Sequence, residues 1–96
     1  MITGTSDTAE ETFEIVNELG LHARAATKLV QLAGRFSSHI DLKKDGQVVN
    51  AKSVMGVLLL CGARGTCVTV WARGADAAAA VEAIGKLIAS RFGEER

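Results

Sequence analysis

The 96-residue chain has no proline, no tyrosine, two cysteines, no surplus of either charge and no long apolar run. Eleven basic residues are balanced by eleven acidic ones, for a formal net charge of +0. A partner bound mainly through phosphates calls for a basic surplus, so a nucleic-acid-binding role is disfavoured. Two cysteines, Cys61 and Cys67, are too few for a secreted disulfide scaffold of this length. They are not a CxxC pair and no histidine cluster joins them. Both are therefore expected as buried or half-buried free thiols in a reducing cytoplasm. The run "VLLLC" at 57–61 is far too short to span a bilayer. The opening "MITGTSDTAEET" has neither the basic nor the apolar region of a signal peptide. A cytoplasmic protein is expected, with no metal site and no cofactor.

What is present suffices for one compact domain. Hydrophobic residues make up 48% of the chain, enough for a core at this size. Residues 1–11 are polar and lack periodicity, and they read as a flexible N-terminal tail. "TFEIVN" (12–17) alternates, with Phe13 and Ile15 on one side, which predicts a half-buried strand. Ala26, Leu29, Val30 and Ala33 then recur at helical spacing, and Gly34 suits the residue that ends that helix. "SHIDLKK" (38–44) and "QVVN" (47–50) are strands joined by Asp45-Gly46, a two-residue hairpin signal. "SVMGVLLL" (53–60) predicts a short helix capped by Ser53, and "TCVTVWA" (66–72) the last strand. A closing helix follows, with Asp76 as its N-cap and Val81, Ile84, Leu87 and Ile88 as its buried stripe.

The predicted order is β-α-β-β-α-β-α. One mostly antiparallel sheet covered by helices on one face accounts for it. The other face meets water. Trp71 would point that way with Cys67 and Thr69, either as a single exposed apolar residue or as a self-association patch.

The histidine in "NELGLHARAATKLVQLAG" (17–34) carries the chemical interest. Gly20 permits a tight turn into the helix, which puts His22 at its N-terminus. There the first N–H groups lack partners and the helix dipole is positive. Arg24 adds a full charge, and together these attract a dianion such as phosphate. They also disfavour imidazolium, so a neutral, nucleophilic ring is expected. No second ligand suggests zinc, and no serine or cysteine nucleophile pairs with His22 in sequence.

Two segments carry a family resemblance. "GLHARAA" resembles the active-site motif GLHARPA of the HPr family, the histidine-containing phosphocarriers of the bacterial phosphoenolpyruvate-dependent phosphotransferase system. "NAKSVMGVLLL" resembles the family's regulatory-serine segment, and the strand and helix from Gly65 onward resemble its final elements. The resemblance spans roughly residues 12–90 with both motifs in order. It implies an α+β open-faced sandwich with sheet order 1-4-2-3, a domain over 12–92 and a C-terminal tail over 93–96. By the same resemblance His22 is the phosphoryl acceptor, through Nδ1, and Arg24 its charge stabiliser. Phosphorylated enzyme I is the implied donor and enzyme IIA domains the acceptors. The protein is then a monomeric carrier and not an enzyme. Ser53 matches the serine modified by HPr kinase/phosphorylase in many bacteria. There a helix N-terminus, with Lys52 adjacent, would stabilise the phosphate. Ala25, Lys28, Val54, Met55 and Leu58 correspond to the partner-binding patch, with ordinary core as the alternative for Val54, Met55 and Leu58, more so for Val54 and Leu58 than for Met55.

One departure stands out. The family proline after the arginine is Ala25 here, which leaves φ unrestrained and restores an N–H. A more mobile loop at His22 is expected from this. A regulatory paralogue of a nitrogen-type or incomplete phosphotransferase chain is an alternative within the family. "GARG" (62–65) resembles the loop of KH RNA-binding modules, but the neutral charge and the lack of a flanking basic helix oppose that reading. A small-molecule regulatory domain fits the topology but leaves "GLHAR" and "KSVMG" unexplained.

Overall fold

The structure is a computed structural model and describes residues 7–96. Its elements run β1 (Thr8–Glu14), α1 (Ala23–Ala33), β2 (His39–Lys44), β3 (Gln47–Asn50), α2 (Val54–Leu59), β4 (Cys67–Arg73) and α3 (Ala77–Ala89), with a final 3-10 turn over Arg91–Gly93. The element order is the expected one. The four strands form one sheet in the order β1-β4-β2-β3, and every neighbouring pair is antiparallel. Consequently β1 runs parallel to β2 on the far side of β4. The segment carrying α1 must therefore cross over the sheet, and α2 makes the second such crossover between β3 and β4.

Strand β1 starts at Thr8, so residues 8–11 are strand and not tail; residues 1–6 lie outside the described residues. Ala9 is the buried inward residue of this stretch and pairs with Ala72. A single alanine among acidic residues gives no visible alternation, and the ladder to β4 decides the matter. The β2–β3 turn is as the sequence predicts: Asp45 and Gly46 have φ of 52° and 80°, both positive as a type I′ turn requires.

The inward face of the sheet carries Ala9, Val68, Val70, Ala72, Ile40 and Leu42, all buried. Helix α3 lies chiefly over β1 and β4, and α1 packs beside α2 and α3. The buried face of α1 gains Ala25 beside Ala26, Leu29 and Ala33, while Val30 moves to its margin. In α3, Ala77, Ala80 and Gly85 join Val81, Ile84 and Ile88, and Leu87 is marginal.

Two expectations are refined and one is corrected. Asp76 holds the N-cap position of α3 and its carbonyl accepts the Ala80 N–H at 2.9 Å, but its side chain makes no cap hydrogen bond. Its carboxylate instead accepts the backbone N–H groups of Ser37 and Ser38 at 2.9 and 3.0 Å, and both their hydroxyls, tying the α1–β2 loop to the start of α3. These donors, the Ser38 hydroxyl foremost, lower its pKa from 3.8 to about 2. Both cysteines are exposed, not buried. Cys67 alternates onto the water-facing side of β4, and Cys61 takes a left-handed φ of 54° just past α2, where the chain leaves the helical face. Trp71 does face outward, but it is half-buried. The His39 ring lies edge-on at 6.0 Å and the Lys43 ammonium 5.3 Å from its centroid.

Candidate functional site

The loop from β1 into α1 is built to present one side chain. Asn17 O accepts the Gly20 N–H at 3.2 Å, closing a turn, and Gly20 adopts a φ of +66° that suits glycine. A Cβ there would also run into the Gly62 carbonyl. That carbonyl accepts the Leu21 N–H at 2.8 Å, and the Leu21 side chain is buried. The chain is thus pinned on both sides of the turn, and the next residue, His22, is the N-cap of α1 with extended backbone (φ −77°, ψ 179°).

The two ring nitrogens of His22 have different partners. Nδ1 accepts the Arg24 backbone N–H at 3.3 Å, a long and therefore weak bond. Nδ1 thereby faces the open N–H groups of the helix, where an anion is stabilised. Nε2 is hydrogen-bonded to Glu94 Oε2. The hydrogen bond from His22 depresses the carboxyl pKa of Glu94, aided by the Asn17 amide and opposed by partial burial. His22 keeps 26% of its side-chain surface, enough for contact with a second molecule. Arg24 is exposed, and its side chain lines the same depression as Leu19, His22, Glu94 and Arg96.

Ser53 is the N-cap of α2, its Oγ accepting the Gly56 N–H at 3.1 Å and its carbonyl the Val57 N–H at 3.0 Å. Lys52 does not turn toward it; its ammonium donates to the Phe36 carbonyl at 2.8 Å. Val54, Met55 and Leu58 are all exposed, which removes the core alternative for all three. Leu59 and Leu19 are also exposed, at 62% and 70%. Ala25 is fully buried and has no surface to offer a partner, because its position on α1 faces the core. Lys28 is half-buried, and its ammonium donates to the Phe92 carbonyl at 2.6 Å.

Sequence reasoning missed Asn17 and Glu94. Asn17 sits at the end of a strand pattern and shows no functional signal. Glu94 lies 72 residues from His22, in a segment expected to be a tail. Instead Arg91, Phe92 and Gly93 take consecutive φ values of 59°, 55° and 77°, which swing the chain end back over α1. Phe92 is fully buried there. Glu94 thus sets a carboxylate against the His22 ring on the side away from the helix end.

A protein-family profile described as "PTS HPr component phosphorylation site" matches residues 9–90. The chain belongs to the HPr family. Among curated relatives, phosphocarrier protein HPr of Cupriavidus necator is 50% identical over 80 residues, covering 83% of this chain and 90% of its own. HPr of Neisseria meningitidis serogroup A is 44% identical over 85 residues, covering 88% and 96%. Among solved structures, HPr-C-His from Thermoanaerobacter tengcongensis superposes with a TM-score of 0.87 at 48% identity, covering 91% of this chain and 98% of that one. The chain is a phosphocarrier of the phosphotransferase system, a carrier and not a catalyst, and membership of the family implies enzyme I and enzyme IIA domains as its partners. Among the described residues no helix is long and apolar enough to cross a membrane.

Proposed function

We propose that His22 Nδ1 is the atom that carries the phosphoryl group, with Arg24 and the N-terminal N–H groups of α1 neutralising it. The observation that carries this reading is the division of labour on the ring. Nε2 is engaged by a carboxylate, while Nδ1 holds only a weak bond from an N–H group at the positive end of a helix. In the forward step the Nδ1 lone pair forms a bond to phosphorus as the P–N bond of phosphorylated enzyme I breaks. Its electron pair returns to the donor's histidine nitrogen. The reverse exchange delivers the group to an enzyme IIA domain. Little covalent chemistry is left to the protein, so positioning and charge balance carry the transfer.

The apolar surface of Leu19, Val54, Met55, Leu58 and Leu59 is proposed as the docking face, and methionine suits a surface that must serve several partners. Ser53 is proposed as a regulatory phosphorylation site for a kinase of the HPr kinase/phosphorylase type. Its half-exposed hydroxyl caps α2 beside the docking face, where added negative charge would oppose an acidic partner. A cytoplasmic monomer is proposed, in keeping with exchange among several soluble partners.

The test is incubation with enzyme I and phosphoenolpyruvate followed by intact mass. One acid-labile phosphate is expected on the wild type and none on His22→Ala. Phosphate retained by His22→Ala would place the acceptor elsewhere.

A further inference from the structure

Two groups, one buried and one half-buried, line up behind His22. Asn17 is fully buried, and its amide donates to the Gly20 carbonyl at 2.9 Å and to Glu94 Oε1 at 3.0 Å. The second carboxylate oxygen, Oε2, meets His22 Nε2. Burying an asparagine is unfavourable unless its hydrogen bonds are used, and here its Oδ1 is left without a partner. The turn at Arg91–Gly93 adds two non-glycine residues in left-handed conformation, which chain sterics disfavour. The Lys28 ammonium and the burial of Phe92 hold that turn down. Several unfavourable local choices thus agree on one outcome, a carboxylate fixed against Nε2.

We propose that Glu94, oriented by Asn17, is a positioning residue for phosphoryl transfer that keeps the His22 proton on Nε2 and leaves the Nδ1 lone pair free to attack. The inference rests on His22 being the acceptor. An ionised carboxylate has no proton to donate, so Nε2 must supply it. In a neutral imidazole the other nitrogen is then bare, and the Arg24 N–H pointing at Nδ1 agrees. Both ring contacts therefore select one tautomer. The same carboxylate serves after transfer. Bond formation at Nδ1 with a proton on Nε2 makes the ring cationic, and Glu94 balances that charge. When the group leaves, the P–N electron pair returns to Nδ1 and the ring is again neutral with its proton on Nε2. No proton has to move in either direction.

Nitrogen-15 long-range correlation spectra of the free wild-type protein read the tautomer directly. The proton is expected on Nε2, and a ring protonated on Nδ1 alone would overturn the proposal without any variant. Glu94→Gln keeps the size of the side chain but can also donate to Nε2, so the two tautomers should mix. Its rate of phosphorylation by enzyme I should fall roughly 10- to 100-fold, by analogy with the loss when the partner that orients a metal-ligating histidine is removed. The final stoichiometry should stay at one phosphate lost in His22→Ala, which separates this proposal from the acceptor assignment. Glu94→Asp should recover part of the rate. A Glu94→Gln protein with unchanged tautomer and unchanged rate would show that the chain end only packs against the ring.

Discussion

At the scale of single residues, the roles divide by how far apart the cooperating groups lie in sequence. Gly20, His22 and Arg24 act through the backbone of one turn and one helix end, so their chemistry is readable from neighbours. Asp76 is the opposite case. Its position before α3 suggests a cap, yet four donors from Ser37 and Ser38 outcompete the helix. A carboxyl whose folded pKa lies at about 2, below its ordinary 3.8, contributes stability in full above the unfolded value. That contribution fades as pH falls through the folded value. Asp76→Asn should therefore melt below wild type at pH 7, and the gap should narrow steadily between pH 4 and pH 2. Parallel thermal melts check this, and a gap independent of pH would assign the loss to shape alone.

At the scale of elements, periodicity and turn signals found the four strands and the three α-helices, and the clearest of these have one wet face and one dry face. The ends were less legible, since Thr8–Glu11 offers a single buried alanine among polar neighbours. Packing between elements was not legible at all. Gly85 lies inside α3, where glycine costs about 1 kcal/mol relative to alanine. The reason is the Phe13 ring of β1, which occupies the space a Cβ would fill. Gly85→Ala gains the helix preference but overpacks this contact, for a net loss of about 1–2 kcal/mol. Chemical denaturation measures it, and Phe13→Leu in the Gly85→Ala background should restore part of the loss by making room.

At the scale of the whole molecule, stability and chemistry meet at the chain end. Phe92 anchors the turn that carries Glu94 to His22 and is itself part of the core. Phe92→Ala should cost about 3 kcal/mol, at the lower end for a buried aromatic because the terminal segment can peel away. It should also mix the His22 tautomers as Glu94→Gln does, although no group touching the ring has been changed. Denaturant melts and the nitrogen-15 spectrum together test this coupling.

The sequence by itself determined the element order, the hairpin turn, the place of His22 at a helix mouth and, through two motifs, the family. All of these are encoded locally, by the alternation of apolar residues, by positive φ at a turn and by the side chains next to one histidine. Tertiary structure alone decided which residues stand behind that histidine. Asn17 and Glu94 come together because Phe92 finds the core and three left-handed residues turn the chain back. That closure depends on burial and geometry across the full length of the chain, and no local pattern records it.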